Sequence, residues 1–149
     1  MKTKRGILLL TGLVLVAFFI LEGCKKTEDP GPSQAELDHD TILQYVADHN
    51  IDGEFTDGGV FYHIVEPGND NHPTYSSIVT VSYKGYYLDG TLLQERSFFS
   101  EKLFNLIEGW KQGLPLIGEG GKIKLIVPSQ LAYNNGILIF DITLHYFSK

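Results

Sequence analysis

The sequence has little cysteine, few basic residues and no apolar run long enough to span a bilayer as a helix. Its single cysteine, Cys24, excludes an internal disulfide framework and any cysteine-based zinc or iron–sulfur site. The chain has 12 lysines and arginines against 18 aspartates and glutamates, so its net charge at pH 7 is −6. An acidic chain without a basic stripe repels phosphate backbones, and we therefore expect no nucleic-acid partner.

The chain also lacks the residue patterns of metal sites and of nucleophilic enzymes. No two histidines lie at metal-ligand spacing on one predicted element. The histidines are His39, His49, His63, His72 and His145. Ser129 is not followed by a nucleophile-elbow glycine, and the glycine-rich segment 118–121 lacks the lysine and serine of a phosphate-binding loop. We accordingly expect no metal and no cofactor.

The N-terminal segment resembles the signal peptide of bacterial lipoproteins. Three basic residues within the first five precede an apolar run at 7–21. This run is shorter than the roughly 20 residues that cross a bilayer as a helix. It ends in Leu-Glu-Gly-Cys at 21–24, which is similar to a lipobox, although Glu22 occupies a usually small, uncharged position. The resemblance implies removal of residues 1–23 and lipidation of Cys24, leaving a mature net charge of about −8.

Two other interpretations of this segment remain open: a retained membrane anchor, and a cysteine without a special role. Residues 24–34 contain two prolines and a glycine, which is typical of a solvated tether. Within it, the stretch 25–29 is weakly similar to the signals that send some Bacteroidetes lipoproteins to the cell surface. A plain linker is the alternative.

After the tether, the pattern predicts one helix followed by several strands. Apolar residues recur at helical spacing across 35–50, with acidic residues early in the segment. These apolar residues are Leu37, Ile42, Leu43, Tyr45, Val46 and Ala47. Residues favouring β-structure then predict strands at 60–66, 78–88, 122–128 and 137–147.

The turns and the faces of the strands complete an α+β prediction. Asp89-Gly90 predicts a hairpin turn before an apolar run starting at Leu92, and 134–136 predicts a tight connection. A short helix is expected at 101–107, ending at Gly109. In the strand 78–88, alternation predicts one buried and one wet face. The predicted buried set is Val79, Val81, Tyr83 and Gly85, and the wet set is Thr80, Ser82 and Lys84. The expected fold is an antiparallel sheet packed on a short helix.

Six short segments then occur in one order along the chain. They read VTVSYKG at 79–85, LDGT at 88–91, LIEGWKQGL at 106–114, GGKIKLIVP at 120–128, LAY at 131–133 and LIFDI at 138–142. Together they closely resemble the FKBP-type peptidyl-prolyl cis-trans isomerases, over about residues 77 to 147. The preceding helix and strand are similar to the N-terminal extension of the family's lipoprotein members.

The resemblance implies an FKBP-like antiparallel β-sheet wrapped on a short α-helix, with an N-terminal helical extension. It also implies catalysis of X-Pro bond rotation, whose barrier of about 18–20 kcal/mol arises from lost amide resonance. A dry apolar pocket lowers that barrier by favouring the twisted amide over the planar one, without acid, nucleophile or metal. Proline-containing protein segments would be the partners.

The resemblance also assigns roles to individual residues. Catalytic roles fall to Tyr83, Ile107, Trp110, Tyr133 and Phe140. Trp110 would form the floor under the prolyl ring, with Tyr83, Phe99 and Phe140 as walls. The Ile107 N–H would meet a substrate carbonyl, and the Tyr133 hydroxyl would supply a second hydrogen bond. Substrate-binding roles fall to Leu93, Gln94, Phe98, Phe99 and Leu106.

Two departures from the family pattern keep a second function open. Leu93-Gln94 stands where the family usually has an aromatic residue and an aspartate, and the overhanging loop after Tyr133 is reduced to 134–136. These changes predict a shallower, wetter pocket. The alternative function is a weakly active or inactive FKBP-like binding or chaperone module of an envelope, gliding or secretion assembly. A purely structural envelope lipoprotein is a third hypothesis.

The sequence thus predicts four segments: a signal peptide at 1–23, a tether at 24–34, an N-terminal helix and strand extension at 35–76, and an FKBP-like domain at 77–149. The predicted location is the cell envelope. A lipid on Cys24 would hold the protein at the membrane, facing the periplasm or the cell surface.

Overall fold

The computed structural model describes residues 31–149. The predicted signal peptide and the proposed lipidation site Cys24 therefore lie outside the described residues. None of the helices within residues 31–149 combines the length and apolar character needed to cross a membrane.

The described residues form two helices and one six-stranded sheet, which confirms the predicted α+β class. The helices are α1, Gln34–Asp48, and α2, Glu108–Gly113. The strands are β1, Glu54–Phe55; β2, Phe61–Glu66; β3, Ile78–Tyr87; β4, Leu92–Lys102; β5, Lys122–Val127; and β6, Leu138–Ser148. The sheet order is β1-β2-β5-β6-β3-β4, and every neighbouring pair is antiparallel. Strand β2, from the predicted N-terminal extension, thus pairs with β5 inside the sheet.

Helix α1 begins at a capping box and covers one end of the outer face of the sheet. The Glu36 N–H donates to the Ser33 hydroxyl, and the Ser33 N–H donates to the Glu36 carboxylate. Ile42 and Val46 lie one turn apart, so both enter one buried cluster. That cluster also contains Phe61, Ile126, Ile137 and Ile139. The amphipathic pattern of 35–50 is therefore explained by burial against the sheet.

The inner face of the sheet packs on α2 and contains the main core. The predicted inward residues of β3 are all buried. Thr80, predicted to be wet, is only 3% exposed, and its buried hydroxyl is satisfied by the hydroxyl of Ser100 on β4 at 2.7 Å. At the end of β3 the predicted turn is confirmed: Gly90 has φ 83° and its N–H donates to the Tyr87 carbonyl at 3.0 Å.

The helix predicted at 101–107 is wrong. Glu101 and Lys102 are the last residues of β4 and pair with Val79 and Ile78 of β3. A single 3-10 turn at Leu103–Asn105 follows, and the α-helix starts only at Glu108. Pairing with β3 satisfies the backbone groups of 101–102, and this tertiary gain outweighs the local helical pattern.

Candidate active site

Nine residues from five parts of the chain line a small cavity of about 70 Å³ on the inner face of the sheet. Strands β3 and β6 supply one residue each, β4 supplies three, and the segments around α2 and after β5 supply the rest. The lining residues are Tyr83, Leu93, Gln94, Phe99, Leu106, Ile107, Trp110, Tyr133 and Phe140. The structure thus brings together nine of the ten residues to which the sequence assigned catalytic or substrate-binding roles.

The Trp110 indole lies at the centre of the aromatic residues. It meets the ring of Tyr83 with centroids 4.8 Å apart and planes at 87°, and that of Phe140 at 5.4 Å and 85°. Phe99 completes this wall, 6.1 Å from Tyr83. Edge-to-face contacts of this kind match the positive edge of one ring to the negative face of another. The rings are therefore held in fixed directions around the cavity.

Two glycines allow the parts of the wall to approach each other. A Cβ on Gly109 would lie 2.4 Å from Cγ1 of Val127, so only glycine lets the first turn of α2 approach β5 this closely. A Cβ on Gly85 would lie 2.9 Å from Cε1 of Phe140. The absence of a side chain at Gly85 on β3 therefore leaves room for the ring of Phe140 on the neighbouring strand β6. The sequence predicted Gly109 at the end of a helix, but it lies inside α2. A glycine is needed there because α2 packs closely against Val127.

Two irregularities in edge strand β4 decide which of its side chains face the cavity. Gly85 pairs with Gln94 and Tyr86 with Leu92, so β4 holds one extra residue there. This bulge lets the consecutive residues Leu93 and Gln94 both line the cavity, although successive residues of a regular strand point to opposite faces.

The second irregularity corrects the prediction for Phe98. Val81 pairs with Phe99 and Tyr83 with Arg96, which leaves an extra residue near 97–98. Phe98 has φ 50°, is 66% exposed and stacks on His145 with centroids 4.4 Å apart. Its ring therefore lies away from the cavity. The wall position belongs to Phe99, because the bulge residue is turned outward.

Four polar groups accompany the rings. Within residues 31–149, no acceptor is found for the backbone N–H of Ile107, the residue before α2, or for the buried indole N–H of Trp110. The other two polar groups are the hydroxyls of Tyr83 and Tyr133. Tyr133 is 63% exposed, so it lies at the mouth of the cavity, whereas Tyr83 is 9% exposed. The site therefore offers hydrogen-bond donors to a ligand carbonyl.

Burial raises the pKa of the Tyr83 hydroxyl above its ordinary value of 10, and the nearby Tyr133 hydroxyl adds to the rise. The Arg96 guanidinium opposes this shift by its charge and by hydrogen bonding. The net direction is upward, so Tyr83 keeps its proton at neutral pH and can donate a hydrogen bond. Arg96 lies opposite Tyr83 in the sheet register, and sequence reasoning missed it because strand periodicity gives no sign of the bulge.

The chemistry of this site is that of an aromatic cavity without charged groups. None of its nine lining residues is a carboxylate, a histidine, a lysine or an arginine. Across residues 31–149, no group of three or more histidine, cysteine, aspartate or glutamate side chains is placed to hold a metal ion. The arrangement can bind a small apolar ring and remove water from an attached carbonyl.

A larger groove of about 350 Å³ runs along the outer face of the same sheet. Its charged lining residues are Lys84, Glu95, Arg96, Lys122 and Asp141. Most of these charges are paired: Lys84 with Glu95 at 3.1 Å, Lys122 with Glu66 at 2.7 Å, and Asp141 with Lys124.

Comparison with known proteins supplies independent observations. A family model described as FKBP-type peptidyl-prolyl cis-trans isomerase matches residues 69–145. The FKBP-type peptidyl-prolyl cis-trans isomerase FkpA of Escherichia coli K12 is 37% identical over 99 residues, covering 58% of this chain and 37% of the relative. A probable FkpA of Neisseria meningitidis serogroup B is 34% identical over 103 residues, covering 60% and 38%. The chain thus spans about two fifths of the length of these relatives.

Solved structures show the same likeness. The crystal structure of FkpA from Escherichia coli superposes with a TM-score of 0.68 and 30% identity, covering 76% of this chain and 61% of that one. A peptidyl-prolyl cis-trans isomerase from Pseudomonas syringae has a TM-score of 0.66 at 22% identity, covering 79% of this chain and 98% of that one. The second likeness concerns the fold alone.

Proposed function

Because the chain belongs to the FKBP-type peptidyl-prolyl cis-trans isomerase family, we propose that it catalyses rotation about X-Pro bonds in polypeptide segments. The observation that carries this proposal is the Trp110 indole at the base of a small cavity walled by Tyr83, Phe99 and Phe140. Such a cavity suits a prolyl ring, which is compact and apolar.

The mechanism follows from the physics of the amide bond. Rotation must break resonance that gives the C–N bond partial double-bond character, at a cost of about 18–20 kcal/mol. The planar form places more negative charge on its carbonyl oxygen, so water stabilises it more than the twisted form. A cavity that removes this water and fits the twisted amide binds the transition state better than the ground state. Each 1.36 kcal/mol of this difference is worth about a factor of ten in rate.

Two donors would hold the substrate in place. The free N–H of Ile107 would bond a backbone carbonyl beside the proline, and the Tyr133 hydroxyl would bond a second one at the mouth. Leu93, Gln94 and Leu106 would contact residues flanking the prolyl ring. In this proposal the two hydrogen bonds position the substrate and so lower the entropy lost on reaching the transition state, while the aromatic rings remove water from the amide.

The proposed setting is the cell envelope. The likeness of residues 1–24 to a lipoprotein leader supports lipidation of Cys24, with the tether at 25–34 placing the domain beside the membrane. Its clients would be proline-containing segments of extracytoplasmic proteins. Mass spectrometry of the membrane-extracted protein tests this part: an N-terminal Cys24 carrying acyl groups is expected, and an intact Met1 would contradict it.

An isomerisation assay on X-Pro peptides tests the catalytic proposal. Trp110→Ala should lower kcat/KM by at least about tenfold, since it removes the floor against which the amide is desolvated. Tyr133→Phe, at an exposed position, should lower it less, and Tyr146→Phe, exposed on β6 outside the cavity, should leave it unchanged. A folded wild-type chain that accelerates no peptide, or equal rates for wild type and Trp110→Ala, would overturn the proposal.

A second candidate is a module that binds proline-containing segments without accelerating them. The open mouth favours it: Tyr133 is mostly exposed, and only the short segment 134–136 lies between it and the residues leading into β6. Measurable peptide affinity together with an unchanged isomerisation rate would select this function. A structural lipoprotein would show neither affinity nor catalysis.

A further inference from the structure

A buried carboxylate on α1 joins this helix to the segment that follows β5. Asp38 is 5% exposed and accepts three hydrogen bonds. The N–H and the hydroxyl of Ser129 donate to its Oδ2 at 2.7 and 2.6 Å, and the Gln34 amide donates to its Oδ1 at 2.7 Å. Bonds from neutral donors to a carboxylate are among the stronger hydrogen bonds in proteins. Asp38 thus ties together positions 91 residues apart in the chain.

Ser129 in turn organises the turn that carries Tyr133. Its carbonyl accepts hydrogen bonds from the N–H of Ala132 at 3.3 Å and from the N–H of Asn134 at 2.8 Å. Asn134 adopts the left-handed conformation, with φ 56°, which lets the chain curl back onto Ser129. The two amides on either side of Tyr133 are therefore both bonded to the residue that Asp38 holds.

The attachment of α1 does not depend on Asp38 alone. Ile42 and Val46 already bury the helix against Phe61, Ile126 and Ile139 of the sheet. The Asp38 carboxylate adds hydrogen bonds to Ser129 in the segment 129–134. Apolar packing does not provide such a directional contact. Tyr133 itself is 63% exposed, so its own side chain contributes little burial to hold it at the cavity mouth.

We propose that Asp38 is a positioning residue for Tyr133, so that α1 forms part of the active site's support rather than a separate extension. This inference rests on the proposed function, because it assigns the ordered Tyr133 turn to the binding of proline-containing segments. A loosened turn would let the Tyr133 hydroxyl leave the mouth of the cavity and would weaken its contact with the substrate.

Amide hydrogen exchange tests the link independently of catalysis. Asp38→Ala removes both carboxylate oxygens, so the two bonds from Ser129 and the bond from Gln34 are all lost. Exchange at the Ala132 and Asn134 amides should accelerate, while the Gly90 amide in the β3–β4 turn should be unchanged. Asp40→Ala, at an exposed position on the same helix, is the matched control and should change none of them. Unchanged exchange at 132 and 134 in Asp38→Ala would overturn the proposal.

A double-mutant cycle tests the consequence for function. Asp38→Ala should lower kcat/KM by about twofold or more in the otherwise wild-type chain, the low end of couplings within one hydrogen-bond network. In a Tyr133→Ala background the same change should have no further effect, because the group being positioned is gone. Equal losses in both backgrounds would show a general structural role and refute the assignment.

Two further measurements keep the outcomes distinct. Ser129→Ala removes the hydroxyl donor and keeps the N–H bond, so it should act in the same direction as Asp38→Ala but more weakly. It therefore still tests the link if Asp38→Ala folds poorly. Should the wild-type chain be inactive, the proposed catalytic function fails. The exchange rates at 132 and 134 then still decide whether Asp38 holds this turn, and the cycle is run on peptide affinity instead of kcat/KM.

Discussion

The two faces of the sheet carry cavities of opposite character. The inner cavity is small, about 70 Å³, and five of its nine lining residues are aromatic. The outer groove is larger, about 350 Å³; five of its twelve lining residues are charged, and four of these five have an ion-pair partner close by. Size therefore does not identify the candidate site. Catalysis of amide rotation by desolvation needs a place from which water is removed, whereas the paired charges of the outer groove are solvated.

The contrast arises from the alternation of residues along the same strands. On β3, Tyr83 faces the inner cavity while its neighbour Ser82 faces outward and bonds His145 at 2.7 Å. Successive side chains of a strand point to opposite faces, so one segment builds both surfaces. Function on one face should then be separable from substitutions on the other.

The largest effect is expected from the neighbouring pair Tyr83 and Ser82. Tyr83→Ala should destabilise the fold by about 3–5 kcal/mol, as for other buried aromatic truncations, and remove peptide binding. Ser82→Ala should cost only about 1 kcal/mol for its hydrogen bonds and leave most activity in place. Urea unfolding and the isomerisation assay measure both. A loss of activity in Ser82→Ala as large as that in Tyr83→Ala would break the separation of the two faces.

A smaller effect is expected at Phe98, on the outer side of the β4 bulge. Phe98→Ala should destabilise the fold by about 0.5–1.5 kcal/mol, since the stacked contact with His145 is lost. Phe98→Gly should be more stable than Phe98→Ala by up to about 1 kcal/mol, because glycine adopts a positive φ without steric cost. Denaturant midpoints decide the order. The reverse order would show that backbone strain does not matter at this bulge.

The smallest effect is expected from the outer-groove ion pair of Lys84 and Glu95. Both side chains are about half exposed, so water and salt screen their attraction. The double change Lys84→Met and Glu95→Gln should leave peptide isomerisation unchanged and shift the unfolding midpoint little, less still at high salt. Loss of catalysis in this variant would instead place substrate contacts on the outer face.

Local sequence signals predicted most elements of the fold. The helix predicted at 35–50 became α1, and four predicted strands appear with ends shifted by one residue or less. Periodicity and turn residues are local properties, so these elements could be read directly. The helix predicted at 101–107 failed because its first residues gain more from pairing with β3, a contact between distant parts of the chain.

The candidate site was predicted through the order of its motifs rather than through periodicity. Trp110, Tyr83 and Phe140 each look like ordinary core residues, and only their collinear arrangement indicated a pocket. The prediction for Phe98 was wrong and Arg96 was missed, both for the same reason. Each extra residue in β4 reverses the face of the sheet to which the following side chains point. A bulge is decided by the partner strand, which periodicity within β4 does not contain.

By itself the sequence determined the α+β class, the family likeness and the identity of nine cavity residues, because hydrophobic spacing and motif order are written along the chain. The tertiary structure decided three further features. It turned Phe98 outward and Phe99 inward, placed Arg96 beside Tyr83, and tied Asp38 to Ser129 across 91 residues. These depend on contacts between distant segments, whose register and burial no local pattern specifies.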